Sequence, residues 1–474
     1  MLTLEELRVA VADHGDRAID TVVLAIVDMQ GRLQGKRLHA QHFLDDVLTE
    51  GSEGCNYLLA VDVDMNTVDG YAMSSWADGY GDFAMVADLA TLRRTPWQPG
   101  TALVVADLAW FDGTPVVASP RQILRRQLDR VRERGLVAYA GTELEFVLYR
   151  DSYEDAWRRG YRDLTPANQY NVDYSLLGTA RVEPLLRRIR REMAAAGLRP
   201  ESAKGECNLG QHEIAFRYDE ALAAADSHAI YKNGAKEIAA QEGMALTFMA
   251  KPNEREGNSC HIHFSLRTVD GAPAFAGAGG DGAPASAGPV DGTPSSAGRG
   301  QPGMSTLMRQ ALAGMLATMS DFTLMYAPNV NSYKRFQPGS FAPTALRWGT
   351  DNRTCALRVV GHSPDSLRFE NRLPGGDVNP YLAISAMVAG VLYGIENELE
   401  LEDAYAGNAY ADETAPHVPA TMRDAADLWR GSVLARQEFG DEMVEHYANY
   451  ARVELAGFDA AVTDWELRRG FERL

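Results

Sequence analysis

Residues 141–149 read GTELEFVLY, and the placing of their two acids decides what kind of sheet this chain builds. Glu143 and Glu145 stand at i and i+2 among apolar residues, and on an extended strand those positions project from one face. Three further segments repeat the pattern: His261 and His263 in CHIHFSL (260–266), Arg368, Glu370 and Arg372 in LRFENRL (367–373), and Glu206 with Glu213 in GECNLGQHEI (205–214). A merely solvated face of an antiparallel strand mixes Lys, Thr, Ser and Gln. Here the set is Glu, His and Arg. If these strands are neighbours, carboxylates crowd together, and like charges that close cannot all stay ionised unaided. Divalent metal ions are one remedy, and mostly Glu oxygens with one or two imidazoles suit Mg²⁺ or Mn²⁺ better than zinc. Arginines are the other. Residues 335–372 hold six of them, Arg335, Arg347, Arg353, Arg358, Arg368 and Arg372, and guanidinium forks clamp phosphate and carboxylate oxygens. Glutamates that bind metal beside an arginine cluster point to phosphoryl transfer from a nucleotide. GxxxxGK[ST] does not occur, and GxGxxG is matched only inside a low-complexity Gly/Ala/Pro-rich stretch (277–282 and 298–303), so the nucleotide site reads as neither the P-loop nor the Rossmann kind.

Composition sets the outer limits. A chain of 474 residues is expected to form two or three domains, and 46% hydrophobic residues excludes wholesale disorder. A net charge of −19 argues against nucleic acid or anionic lipid as the main partner. The longest apolar runs, such as residues 382–391, are about half a bilayer span, so no membrane segment is expected. The start of the chain is acidic and amphipathic, without the features of a signal peptide. Cys55, Cys207, Cys260 and Cys355 are widely spaced, which fits a reducing cytoplasm and excludes a disulfide scaffold.

Along the chain, residues 3–15 read as a helix and residues 21–27 as a buried strand that turns at Gly31 and returns through residues 32–38. A strand-dominated stretch runs to about residue 112. Ser119 and Pro120 then open a helix that stops at Gly135. A strand over 137–149 and a helix over 183–195 follow, and the tail from Asn379 is rich in helix. One stretch is foreign: of the 34 residues 270–303, 23 are Gly, Ala or Pro. Such a segment cannot bury enough apolar surface to offset its ordering, so a flexible surface loop interrupting a domain is expected.

GTELEF, ECNLGQHE, KEIAAQEGMALTFMAKP, CHIHFSL, NSYKRFQPG, DNRTCALRV, RFENRLPGGDVNPYLA and TDWE, with VDMQGRLQGKR (27–37), together resemble the bacterial type I glutamine synthetases over nearly the whole chain. The resemblance implies an α+β fold: an N-terminal β-grasp domain (1–112) and a catalytic domain (113–474) with a curved antiparallel sheet flanked by helices. It implies a homo-oligomer of two stacked hexameric rings, a dodecamer with active sites where subunits meet. ATP would phosphorylate the γ-carboxylate of glutamate, and an amine would displace the phosphate. Two or three Mg²⁺ (or Mn²⁺) ions per site are implied, one on Glu145, Glu206 and Glu213 and one on Glu143, His261 and Glu370. Arg335, Arg372 and Gly257 match glutamate-binding positions, and Arg353 matches the arginine that stabilises the transferring phosphoryl group. Arg358 and Arg368 match nucleotide-phosphate contacts, with Tyr218, His263 and Ser265 near the nucleotide. Tyr410 resembles a tyrosine that some members have adenylylated, but is expected to be solvent-exposed and unregulated. Cys207 and Cys260 are expected to be buried filler on the opposite strand face.

Departures from the family pattern bear on the acceptor. Where members that use ammonia carry a glutamate that closes over the site, residues 338–343 read PGSFAP and place Phe341. An aromatic ring cannot accept a proton, but it packs against a carbon chain. The family's DGSS segment has no match; Asp62, Asp64, Asp69 and Asp82 stand in that region. The glutamate loop reads Glu256-Gly257-Asn258-Ser259. Together these favour glutamate joined to a small organic monoamine such as ethanolamine, as in the family's γ-glutamyl-amine ligases. Polyamines (putrescine, cadaverine, spermidine, spermine) come next, then ammonia, then a non-catalytic sensor of glutamate or amines. An alkylammonium, with a pKa near ~10.4, must lose a proton before it attacks. Glu206, with one of Asp62, Asp64 or Asp82, is the expected base, and Tyr174 is expected to line the amine pocket with Phe341. Phe341→Glu should therefore raise ammonia use at the expense of larger amines, measured as kcat/KM for ammonium against ethanolamine; an unchanged ratio would sink the assignment of Phe341 to the amine pocket.

Overall fold

The computed structural model describes residues 1–277 and 303–474, so most of the Gly/Ala/Pro-rich stretch expected as a loop lies outside the described residues. Two sheets organise the rest. The first contains β1 (Thr21–Val27), β2 (Leu33–His39), β3 (Ser52–Cys55), β4 (Asp82–Ala87), β5 (Arg93–Arg94) and β6 (Thr101–Ala109), in the order β2-β1-β6-β4-β3 with β5 on β6. β1 and β6 run parallel, whereas β1 and β2 form the expected antiparallel pair, Thr21 opposite His39. Strand parity divides the side chains between two cores. Val22, Leu24, Ile26, Ala102 and Val104 pack with Leu7, Phe43 and Phe83, while Val27, Leu103 and Val105 join Met29 and Trp97 in the larger core of the second sheet.

The second sheet comprises β7 (Leu136–Tyr149), β8 (Pro200–Gly205), β9 (Gln211–Phe216), β10 (Asp219–Glu220), β11 (Ala245–Thr247), β12 (Cys260–Thr268), β13 (Trp348–Thr350), β14 (Leu357–Val360) and β15 (Arg368–Asn371). Its order is β13-β14-β15-β12-β7-β9-β8, with β10 and β11 also on β7. All pairs are antiparallel except β13 with β14. The sheets are thus mixed and flanked by helices, an α+β fold. Two expected elements differ in detail. The first helix is Leu4–Ala12, capped by Thr3 and ended by the extended backbone of Asp13. Ser119 does stand at the N-cap of Pro120–Glu133, but its side chain makes no capping bond there.

Helix Pro380–Glu396 is buried on nearly every turn, as its uniformly apolar sequence requires. Its N-cap, Asn379, joins the two bodies: its oxygen accepts from the amide of Tyr381 (3.1 Å), while Nδ2 donates to the carbonyls of Asp28 (3.2 Å) and Met29 (3.0 Å). Arg121, 2% exposed, makes a second joint. It donates to both carboxylate oxygens of Asp226 (3.0 and 2.8 Å), to Asp107 on β6 (2.6 Å) and to Asp88 (2.7 Å). No helix among the described residues is long and apolar enough to cross a membrane.

Helices Thr306–Thr318 and Pro380–Glu396 approach through glycines. A Cβ on Gly394 would lie 2.0 Å from the Gln310 carbonyl oxygen, and one on Gly314 2.2 Å from that of Gly390. Both obstacles are backbone, which cannot swing aside. Gly394→Ala should destabilise the protein by about 1–3 kcal/mol, seen as a lowered Tm, whereas Gly431→Ala, with nothing within 4 Å, should leave Tm nearly unchanged.

Candidate active site

Strand register gathers the polar residues that the sequence scatters over 230 positions. His261 lies opposite Glu143, and His263 opposite Glu370. Arg358 also pairs with Glu370, Glu145 with Glu213, and Lys204 with Glu213. A cleft of about 600 Å³ opens over this face, lined by Glu143, Glu145, Glu206, Glu213, His261 and Glu370 and walled by Tyr174, Phe341, Gly257, Arg353, Arg358 and Arg372. A second cleft of about 370 Å³ shares Glu143 and is lined by Tyr218, His263, Ser265 and Arg368.

Two triads stand out. Glu145, Glu206 and Glu213 bring one carboxylate oxygen each to within 4.8 Å of one another, the set expected for one metal. Glu143 and Glu370 bring a carboxylate oxygen each, and His263 a ring nitrogen, to within 4.8 Å of one another. His261, expected in that second set, is also there, with Nδ1 3.5 Å from Glu143 and 3.2 Å from Glu370. His263 Nε2 sits 2.8 Å from Glu143, and Arg368 Nε donates to His263 Nδ1 (3.1 Å), so His263 links the acids of the first cleft to the second.

The electrostatics separate the triads. Burial, then the charge of Glu206, raises Glu145 to about 8. Burial, then Glu143 and Glu145, raises Glu213 to about 9. Glu206 is raised by burial too, although Lys204 opposes the shift. On the other side, burial alone would raise Glu370, but the charges of His261 and Arg372 bring it to about 2. Burial would likewise raise Glu143, yet hydrogen bonds from His261 and His263 hold it below the usual carboxylate range. His261 falls to about 4 through burial and then Arg372, and its buried Nε2 has no partner. Three crowded carboxylates that resist ionisation, beside an imidazole with an unsatisfied nitrogen, form a donor set that fits hard divalent cations.

The arginines divide by use. Arg353 lines the cleft and has no hydrogen-bond partner for its guanidinium among the described residues, so its donors face the cleft. Arg358 donates to Glu370 (2.9 Å) and Asp351 (3.0 Å), and Arg372 to Glu370 (2.5 Å) and to the Phe341 carbonyl (3.2 Å). Phe341 itself takes φ +59°, a left-handed conformation unfavourable to a bulky residue, and is 56% exposed. The Tyr410 hydroxyl donates to the next carbonyl, Ala342 (3.0 Å), tying Tyr410 to the loop that carries Phe341.

Several expectations are corrected. Arg335 is not itself among the residues that line the cleft, although its Nε donates to the hydroxyl of Ser259 on the cleft wall (3.4 Å). It is fully buried, and its guanidinium donates to the carbonyls of Arg372 (2.9 Å), Leu373 (2.7 Å) and Pro374 (3.0 Å), so it braces the chain that carries Arg372. Tyr410 is half-buried and tethers the Phe341 loop, where a solvent-exposed residue was expected. Cys207 is not filler: it lines the cleft, its sulfur within 4.8 Å of carboxylate oxygens of Asp173 and Glu206, whereas Cys260 is buried as expected. Asp62, Asp64 and Asp82 line neither cleft of their own chain; Asp62 instead accepts from the amide (2.8 Å) and side chain (3.0 Å) of Asn66. Gly257 does line the cleft, and only glycine fits there, because a Cβ would meet the Ala250 carbonyl at 2.4 Å. Sequence reading missed Lys204 and Gln211. Lys204 carried a legible signal, standing at i and i+2 with Glu206. Gln211, which donates to Glu145 (2.9 Å) and the Gly257 carbonyl (2.9 Å), carried none.

Residues 117–470 match the family model of the glutamine synthetase catalytic domain. The chain is 67% identical over 473 residues to the gamma-glutamylethanolamide synthetase of Streptomyces coelicolor, covering 100% of this chain and 96% of that protein. It is 38% identical to the glutamate–isopropylamine ligase of a Pseudomonas species, covering 95% of each. Its structure is similar to that of ligand-free GmaS, with a TM-score of 0.81, 26% identity and full coverage of both chains.

The triad of Glu145, Glu206 and Glu213 has a pH signature. From the ordinary carboxyl value of 4.5 up to about 8 for Glu145 and about 9 for Glu213, the fold holds protons that the unfolded chain lacks, so metal-free stability should fall as pH rises through that window. Glu370 acts in a separate window: its contribution is present above 4.5 and is lost as pH falls towards about 2. Thermal melts with a chelator should show the first decline, and Mn²⁺ should raise Tm more at the alkaline end, where the acids are ready to bind it. A Tm gain independent of pH would contradict the triad as a metal site.

Proposed function

The chain belongs to the glutamine synthetase family, and on that footing we propose that it is an ATP-dependent ligase joining the γ-carboxylate of glutamate to a small organic monoamine, ethanolamine first. The observation that carries this reading is the acceptor-side wall, which presents the rings of Phe341 and Tyr174. An aromatic wall packs against a carbon chain and offers nothing to ammonium's fourth proton. The name of the 67% identical relative agrees.

In the proposed reaction a γ-carboxylate oxygen of glutamate attacks the γ-phosphorus of ATP, giving γ-glutamyl phosphate and ADP. The amine nitrogen then attacks the acyl carbon, the bond to the phosphate oxygen breaks, and phosphate leaves. Mg²⁺ (or Mn²⁺), held by Glu145, Glu206 and Glu213 and by Glu143, His261 and Glu370, would neutralise the phosphates when bound. Arg353, which lines the cleft, reaches the transferring phosphoryl oxygens, with Arg358 and Arg368 on the nucleotide phosphates and Tyr218, His263 and Ser265 along the nucleotide. Arg372 and Gly257 hold glutamate. Glu206, whose affinity for a proton is raised by burial, accepts the proton that the alkylammonium gives up.

Asp62, Asp64 and Asp82 then serve the cleft of a neighbouring copy, in a homo-oligomer of two hexameric rings whose N-terminal domain ends near residue 112. Unpaired thiols at all four cysteines fit a cytoplasmic setting. A polyamine acceptor is the second reading, favoured by Asp173, Glu201 and Glu256 on the cleft wall.

Phosphate release from ATP, Mg²⁺ and glutamate across ammonium, ethanolamine, isopropylamine, putrescine and spermidine, with mass spectrometry of the products, tests the assignment. Fastest turnover with ethanolamine is expected. Fastest turnover with ammonium would overturn it, and silence with every amine would leave a sensor as the better account.

A further inference from the structure

Phe341 keeps its place in the cleft wall against its own backbone preference. Its φ of +59° lies in the left-handed region that a bulky residue disfavours, so contacts beyond the residue must hold it there. The loop's own bonds close on Ser340, whose hydroxyl donates to the Gln337 carbonyl (2.6 Å) and accepts from the Ala342 amide (3.3 Å). Two bonds from outside the loop take the next carbonyls: Arg372 holds that of Phe341 (3.2 Å), and the Tyr410 hydroxyl holds that of Ala342 (3.0 Å). Arg372 also serves Glu370, whereas Tyr410 is not among the residues that line the cleft. The chain on both sides of Tyr410 is itself pinned. The Ala409 amide donates to Thr354 Oγ1 (2.9 Å) and Asn352 Nδ2 to the Gly407 carbonyl (2.9 Å); beyond, the Leu346 amide donates to the Pro416 carbonyl (2.8 Å) and the Val418 amide to the Thr344 carbonyl (3.0 Å). The hydroxyl is therefore offered from a fixed point.

From this arrangement we infer that Tyr410 is a positioning residue for the acceptor: its hydroxyl holds the loop that keeps the Phe341 ring in the cleft wall, and the preference for an amine with a carbon chain depends on that bond. This rests on the ligase reading above and deepens it. A carbon chain gains from packing against a ring whose place is fixed. When the loop is free to relax from its strained conformation, the ring spends only part of its time in that place, and the gain shrinks with its population. Ammonium has no chain and gains nothing from the ring, so releasing the loop slows ethanolamine more than ammonium. Through Ala409 the same short turn, Ala409–Ala411, also holds Thr354, the neighbour of Arg353. The ring is thus set on one frame with the arginine that the ligase reading places at the phosphoryl group.

The test compares kcat/KM for ethanolamine and ammonium in the full-length wild type, Tyr410→Phe, Phe341→Ala and the double variant. Tyr410→Phe keeps the ring of residue 410 and removes one hydrogen bond, so the ethanolamine-to-ammonium ratio should fall about three- to tenfold. In the Phe341→Ala background, where no ring is left to position, adding Tyr410→Phe should leave the ratio within about twofold. A general loosening of the fold would lower both rates together in either background and move neither ratio. Hydrogen exchange in peptides spanning residues 338–346 is the second readout, and should quicken in Tyr410→Phe. An unchanged ratio or unchanged exchange in a folded, active Tyr410→Phe overturns the inference while the ligase assignment stands, as does an equal fall in both backgrounds. No turnover of either amine by the wild type overturns the ligase reading itself.

Discussion

Mutual repulsion among buried carboxylates is the constraint on which the rest of this structure depends. Glu143, Glu145, Glu213 and Glu370 project from adjacent strands into one cleft, with Glu206 at the end of β8. Left alone such a cluster would push strands apart or take up protons. The fold answers in two ways. On the β14–β15 side Arg358 and Arg372 both bond to Glu370, and His261 and His263 bond to Glu143, so these acids stay ionised. On the β8–β9 side Lys204 pairs with Glu206, and Glu145 and Glu213 resist ionisation. The imbalance leaves one half of the cleft with carboxylates that resist ionisation and the other with ionised acids paired to arginines and histidines.

Holding such a face together requires a rigid platform. Helix Pro380–Glu396 supplies it, buried throughout and drawn close to Thr306–Thr318 by glycines, and its N-cap Asn379 grips the turn at Asp28 and Met29. Arg121 repeats the grip with three aspartates from separate segments. Arg335 works on the same principle closer in. By filling three carbonyls of residues 372–374 it fixes the backbone from which Arg372 reaches Glu370 and Phe341. The strained Phe341 persists because Arg372 and Tyr410 hold the carbonyls on either side of its peptide.

Much of this was legible in the amino-acid order. Strand parity put Glu143 with Glu145, His261 with His263, and Glu370 with Arg368 and Arg372 on common faces, because a period of two is a local property of extended backbone. Helix Glu183–Ala195 and strand Thr21–Val27 fall where the residue pattern places them. The bracing partners of Arg335 were not legible, because an arginine near a site reads the same whether its guanidinium meets a ligand or three backbone carbonyls. Tyr410 and Cys207 misled, since exposure is set by distant segments.

The sequence by itself determined which strands carry acids, imidazoles and arginines, and that position 341 carries an aromatic ring. Those facts are local: they follow from residue identity and from a side-chain period of two. Only the tertiary structure decided which acids share a cation-sized space, which arginines remain free, and that Lys204 stands between Glu206 and Tyr174. These depend on strand order and register between segments far apart in the chain, and a shift of one residue in register would send every one of these side chains to the opposite face.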